Sequence, residues 1–168
     1  MRKILNPYVK IEGYNCFGCS PDNEHGLQLQ FYEDGDYLIT EWEPRGFLQG
    51  YHNILHGGIQ ATLIDEIGNW LVMIKLKTAS VTSELTVRYL KPVHITKKGK
   101  IKLRASLKKV DKNNATVYVE LFDGEGIKCA EGEPVYFVYP VAIAKKRLFF
   151  PDYEDFFEKD ASSESSNR

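Results

Sequence analysis

The chain has 168 residues, 43% of them hydrophobic, with 22 Lys and Arg against 23 Asp and Glu. That length suits one domain with a real core and sets bulk disorder aside. The formal charge of −1 lacks the basic excess of a nucleic-acid surface, and no apolar run approaches the ~18 residues of a membrane span. The longest compact run, Trp70-Leu71-Val72-Met73-Ile74, stops at Lys75, and the first residues lack the apolar stretch of a secretory signal. These features predict a soluble, cytoplasmic protein with no nucleic-acid or membrane partner.

In chain order, residues 1–24 are loop-like, with Pro7, Gly13, Gly18 and Ser20-Pro21-Asp22-Asn23 as turn signals. Leu27, Leu29 and Phe31 alternate with polar residues as a half-buried strand does, and Tyr37–Trp42 reads as its hairpin partner across Glu33-Asp34-Gly35-Asp36. A loop follows to about His56. From Gly57 to about Leu76, the apolar residues Ile59, Leu63, Ile64, Ile67, Trp70, Leu71 and Ile74 recur at helical spacing. The opposite face centres Asp65 among Gly58, Ala61, Thr62, Gly68 and Asn69, small residues that let a backbone or ligand come close. Three alternating stretches then predict strands over 82–90, 100–110 and 115–122, and a last strand runs over about 129–139 after the turn Asp123-Gly124-Glu125-Gly126. A hairpin, one long helix and consecutive strands make an α+β domain whose antiparallel sheet packs on the helix. Beyond 140 the chain changes character. Phe149-Phe150-Pro151 and Phe156-Phe157 are suited to dock on the body, and 160–166 is polar and reads as disordered.

Three cysteines say little about chemistry. Cys16 and Cys19 form a Cys-x-x-Cys, His25 offers a third donor, and no fourth completes a structural zinc site. The stretch lacks the βαβ setting of a redox motif, so it predicts a tight turn holding two inert thiols. The odd count argues against a disulfide framework. His52 and His56 have helical spacing for two metal ligands, but Gly57-Gly58 follows and no third ligand is evident.

The run Asn53-Ile54-Leu55-His56-Gly57-Gly58-Ile59-Gln60-Ala61-Thr62-Leu63-Ile64-Asp65-Glu66 concentrates the chemistry. Two glycines at a helix start expose backbone N–H groups at its positive end, able to hold an anion or a developing oxyanion. Asp65, about two turns on, offers a general base or a nucleophile. Together they are a minimal kit for acyl transfer without a cofactor. The same residues also fit a plain turn followed by a solvated helix carboxylate. Glu66 lies roughly 100° around the helix from Asp65, so the two do not form a paired-carboxylate site. No Gly-x-Ser-x-Gly elbow exists.

His56-Gly57-Gly58 with an acid nine residues after the His resembles the signature of hotdog-fold acyl-CoA thioesterases of the His-Gly-Gly subfamily. Thr82-Ser83-Glu84-Leu85-Thr86-Val87-Arg88-Tyr89-Leu90-Lys91-Pro92-Val93 resembles the strand that follows the helix there, and Cys16-Phe17-Gly18-Cys19-Ser20-Pro21-Asp22-Asn23 with Gly26-Leu27 resembles the lead-in of many bacterial members. The likeness covers about 14–140. It implies a curved antiparallel sheet wrapped around one long central helix, with 1–24 an N-terminal extension, 25–140 the hotdog domain and 141–168 a C-terminal extension. It further implies hydrolysis of an acyl-CoA or acyl-carrier thioester, with no cofactor or metal, in a homodimer or homotetramer whose sites lie between protomers. By the resemblance, the Gly57 N–H polarises the thioester carbonyl and His56 positions that loop. Asp65 of the neighbouring protomer activates water or attacks, and Thr82 or Ser83 orients the water. Asn53, Gln49 and Gly58 are further candidates for substrate contact from the same loop and helix start.

Lys97, Lys98 and Arg88 could grip coenzyme A phosphates, or simply keep a turn and an edge strand solvated. Trp70, Met73, Tyr89 and Phe47 are candidates for an acyl pocket, and equally for core. Two other functions use the same fold: a non-catalytic acyl-CoA or lipid binder, and an acyl-thioester hydratase or dehydratase.

Overall fold

The computed structural model describes residues 1–96 and 98–159. Lys97, and the serine-rich end expected to be disordered, lie outside the described residues. The elements are β1 (Arg2–Lys3), β2 (Phe31–Asp34), β3 (Tyr37–Trp42), α1 (Gly57–Leu76), β4 (Ser80–Tyr89), β5 (Ile101–Asp111), β6 (Asn114–Phe122), β7 (Lys128–Val138) and α2 (Val141–Leu148). The seven strands form one antiparallel sheet in the order β1-β2-β3-β5-β6-β7-β4.

The sheet curls around α1, which touches β3 through β7. That wrapping explains the helix's composition. From Ile67 onward Gly68, Trp70, Leu71, Val72, Met73 and Ile74 are all buried, so the apolar surface widens from a stripe to nearly the whole circumference. The small-residue face is not open throughout, because the Tyr136 hydroxyl lies over Gly68 where a β-carbon would stand. Alternation in β5, β6 and β7 sends Leu103, Ala105, Val117, Val119, Leu121 and Tyr136 inward. Among the described residues no helix is long and apolar enough to cross a membrane.

The predicted strand over Leu27–Phe31 is shorter than expected. Leu27 and Leu29 are buried as the alternation requires, but Gln28 has a left-handed φ of 54° that breaks the extended run. Their N–H groups donate to the carbonyls of Phe17 and Gly18, so this segment pairs with the N-terminal turn before β2 joins the sheet. Of the C-terminal aromatics expected to dock, three do and Phe149 stays exposed. Phe150, Phe156 and Phe157 are buried, and Trp70 stacks on Phe31 at 4.9 Å while meeting Phe156 edge-on at 5.8 Å.

Candidate active site

The N-terminal end of α1 is built by the loop before it. His56 N–H donates to the Leu48 carbonyl and Leu55 N–H to the Val93 carbonyl. Asn53, at a left-handed φ of 62°, gives its N–H to Gln49 Oε1 at 2.8 Å and accepts the Thr96 N–H at 3.0 Å. Gln49 and Asn53 therefore tie the loop together.

An α-helix begins with four N–H groups that have no partner in the helix. Here Gly58 N–H donates to His56 Nδ1 at 2.9 Å, and Ile59 and Gln60 share the His56 carbonyl at 3.0 and 3.1 Å. The Gly57 N–H alone has no acceptor among the described residues. His56 thus caps the helix through a neutral ring nitrogen and leaves one donor free at the positive end. Tyr89, from the end of β4, donates to the Gly57 carbonyl at 2.7 Å and closes against Gly57 from the other side. A cleft of about 380 Å³ beside this end is lined by Phe47, Leu48, Gln49, His56, Gly58, Ile59 and Thr62. Of the acyl-pocket candidates, Phe47 lines it and Tyr89 braces Gly57, whereas Trp70 and Met73 are core.

Asp65 is half-buried two turns along the same helix. Thr82 Oγ1 donates to its Oδ1 at 2.8 Å. The Tyr136 hydroxyl donates to the Asp65 carbonyl at 2.7 Å and lies 3.4 Å from Oδ1. Burial raises the Asp65 carboxyl above its ordinary value, against the pull of the Thr82 and Tyr136 hydrogen bonds. A bulge in the β4–β7 pairing falls at Ser83, and its hydroxyl donates to the Val135 carbonyl at 3.0 Å. The bulge thereby separates the two hydroxyl candidates: Thr82 meets Asp65 and Ser83 meets the sheet.

The basic candidates lie apart from this centre. Arg88 Nη1 pairs with Glu131 at 3.2 Å across the exposed face of β4 and β7. Lys98 is exposed in the turn before β5, against Gly124. Lys97 is not among the described residues. A larger cleft of about 840 Å³ lies on the outer face of β3 and β5 between Tyr37, Glu41, Lys102 and Arg104, and contains none of the candidates.

Tyr136 was not singled out by sequence, and Tyr89 was singled out only as an acyl-pocket or core candidate, not as a brace of the helix start. Each acts through a partner 32 or 71 residues away, and only the inward alternation of β7 offered a signal for Tyr136. Among the described residues, one group of three potential metal donors comes together, Cys16, Cys19 and Glu66, within 4.8 Å of one another. His25 and His52 are outside it.

Comparison with known proteins adds to this geometry. The thioesterase-superfamily family model matches residues 52–130, from the loop before α1 into β7. A solved thioesterase-superfamily protein superimposes with a TM-score of 0.64 at 21% identity over 73% of this chain, which spans 62% of that protein's length. One from Shewanella loihica PV-4 is 25% identical over 70% of this chain and 96% of its own, with a TM-score of 0.58. A Bacillus halodurans protein solved with CoA is 27% identical over 68% of this chain and 76% of its own, at 0.59. Among curated proteins none matches the sequence. With its sheet wrapped about one long helix, the chain carries the hotdog fold of these solved proteins, and its residues 52–130 resemble the thioesterase superfamily.

Proposed function

We propose that the protein is an acyl-CoA thioesterase of the His-Gly-Gly type, acting as a dimer or a dimer of dimers. The observation that carries this is the pairing of a free Gly57 N–H with a half-buried Asp65 held by Thr82. Within one protomer these groups are eight residues apart on α1, about 12 Å along the axis. A single thioester carbonyl must lie near 3 Å from the Gly57 N–H and one water away from Asp65. Two chains facing each other across β4, an edge strand of ten residues, bring the Gly57 of one protomer toward the Asp65 of its partner.

In the site so formed, Asp65 takes a proton from a water that Thr82 helps to orient, and the water oxygen attacks the thioester carbon. The carbonyl oxygen gains negative charge and accepts the Gly57 N–H. Collapse breaks the carbon–sulfur bond, and the departing thiolate takes the proton back from Asp65. The products are a carboxylic acid and free coenzyme A. The step calls on no metal or organic cofactor. The CoA bound to the Bacillus halodurans relative supports CoA as the carrier, and the Phe47–Ile59 cleft is placed to receive the acyl group.

The test is turnover of short, medium, long and aromatic acyl-CoAs, followed by loss of thioester ultraviolet absorbance, a readout blind to the three cysteines. Hydrolysis that Asp65→Asn abolishes supports the proposal. Tight binding without turnover across the panel replaces it with a ligand-binding role, and an acyl-chain double bond made or hydrated replaces it with hydratase chemistry.

A further inference from the structure

The N-terminal Cys-x-x-Cys has no part in that reaction, yet its geometry differs from that of two thiols sharing a turn by accident. Ser20 N–H donates to the Cys16 carbonyl at 3.2 Å, closing one helical turn. Within it Cys19 N–H points at Cys16 Sγ, 3.4 Å away. Both cysteines are free, and their sulfurs stand 3.1 Å apart. Two thiolates on a tetrahedral zinc ion, each at ~2.3 Å, sit roughly 3.7 Å apart. A disulfide needs ~2.05 Å. The pair is already closer than zinc would hold it, and an approach of about 1 Å would bond it.

The surroundings give the two sulfurs different tasks. Cys16 is half-buried and reachable, whereas Cys19 is 5% exposed. Glu66 of α1 lies directly behind them, its Oε1 3.5 Å from Cys16 Sγ and held by the Trp70 indole N–H at 3.2 Å. Gly18 is the residue that permits this, since a β-carbon there would run into the Glu66 carboxylate. Hydrogen bonding from the Cys19 thiol pulls Cys16 down to about 5. The same bond, with burial, pushes Cys19 well above the ordinary thiol range. Burial, then the charge of Cys16, raises Glu66 to about 7. A reachable thiolate with a second thiol 3.1 Å behind it is what attack and resolution need, and the adjoining carboxylate can take the second thiol's proton.

We infer that Cys16 and Cys19 form a reversible dithiol–disulfide pair toward small disulfides, with Cys16 attacking, Cys19 resolving and Glu66 accepting the Cys19 proton. The Cys16 thiolate attacks one sulfur of the small disulfide, forming a mixed disulfide and releasing one thiolate. Glu66 then takes the Cys19 proton, and the Cys19 sulfur attacks Cys16 Sγ. The second small thiolate leaves and takes up a proton. The chain loses two electrons and two protons, and one small disulfide becomes two thiols. Because Glu66 adjoins Asp65 on α1, the redox state of the turn is presented to the helix that bears the proposed catalytic carboxylate.

The experiment equilibrates the reduced full-length chain with mixtures of reduced and oxidised glutathione, traps free thiols with an alkylating agent, and reads intact and peptide masses. Expected is a loss of two hydrogen masses, with a Cys16–Cys19 link, an alkylated Cys129, and full return when reduced glutathione is restored. Cys19→Ser should stop at a glutathione adduct on Cys16. Glu66→Gln should reach the same disulfide at least about tenfold more slowly. Three alkylated cysteines under every mixture, a lasting wild-type adduct on Cys16, or one tightly held zinc equivalent that blocks exchange would each overturn the proposal.

Discussion

Asp65 and Glu66 are adjacent and chemically alike, yet α1 turns them to different faces with different neighbours. One residue of helix is a rotation of about 100°. Asp65 turns to β4 and β7, where Thr82 and Tyr136 meet it beside an edge strand with no neighbour on its outer side. Glu66 turns to the N-terminal wrap, where Cys16, Cys19, Gly18 and Trp70 close over it. Burial is the largest cause of the upward shift at both carboxyls. What separates them is company: hydroxyls and an open edge at one, thiols and an indole at the other. A sheet wrapped around a single helix can thus assign neighbouring residues to unrelated chemistry.

The largest effect is expected at Asp65. Asp65→Asn should lower kcat by ~10²–10⁴ while leaving the urea unfolding midpoint near that of wild type. Retained turnover would remove the assigned role from that side of the helix. Thr82→Val sharpens it. The Thr82 bond favours the ionised carboxylate, so its loss raises the Asp65 pKa further. A general base fails as pH falls through that value, so the acid limb of kcat/KM should move to higher pH and the rate on that limb should fall.

The other side is read by stability. Glu66 titrates at about 7 in the fold against 4.5 when unperturbed, so folding favours its protonated form. That contribution is complete below pH 4.5 and is lost as pH rises through about 7. In a Cys16→Ser background, which removes the opposing thiol titration, chains with Glu66 should lose roughly 1–2 kcal/mol relative to Glu66→Gln between mildly acidic and mildly alkaline buffer, measured by urea melts. The smallest effect belongs to the helix start. His56→Ala should cost about 1 kcal/mol by removing the cap on Gly58, and His56→Asn should recover most of it.

Much of this was legible in sequence. The 3.6-residue spacing of Ile59, Leu63, Ile67 and Trp70 located α1, alternation located β5 and β6 with the right residues inward, and the turn at 123–126 marked the start of the last strand. His56-Gly57-Gly58 marked the helix start, although the same residues also fitted a plain turn, and His56 does cap the helix that Gly57 begins. Alternation also found the buried faces of Leu27 and Leu29, but not that Gln28 turns left-handed to pair them with residues 17 and 18. The choice between Thr82 and Ser83 could not be made, since a one-residue bulge decides which hydroxyl reaches Asp65 and leaves no local mark in the sequence. The helix over 141–148 was missed although Ala, Lys, Arg and Leu dominate it, because eight residues give only two turns of periodicity. The thiol cluster was invisible for another reason: its carboxylate lies 50 residues from Cys16, and only the wrapped sheet brings them together.

The ring system around Trp70 sets an order on biosynthesis. Phe31 reaches one face of that indole and Phe156 its edge, while Leu5 N–H donates to the Phe156 carbonyl and the Arg2 guanidinium lies 3.1 Å from the centre of the Phe157 ring. The start of the chain is therefore fastened by residues 156 and 157, which are made long after it. During translation the central helix and hairpin can condense early, but the aromatic cluster stays unfilled until residues 153–157 leave the ribosome tunnel. Ribosome-stalled chains that hold residues 153–157 inside the tunnel should keep the Trp70 indole open to quenchers, and a C-terminal linker long enough to bring Phe157 out should switch that accessibility off.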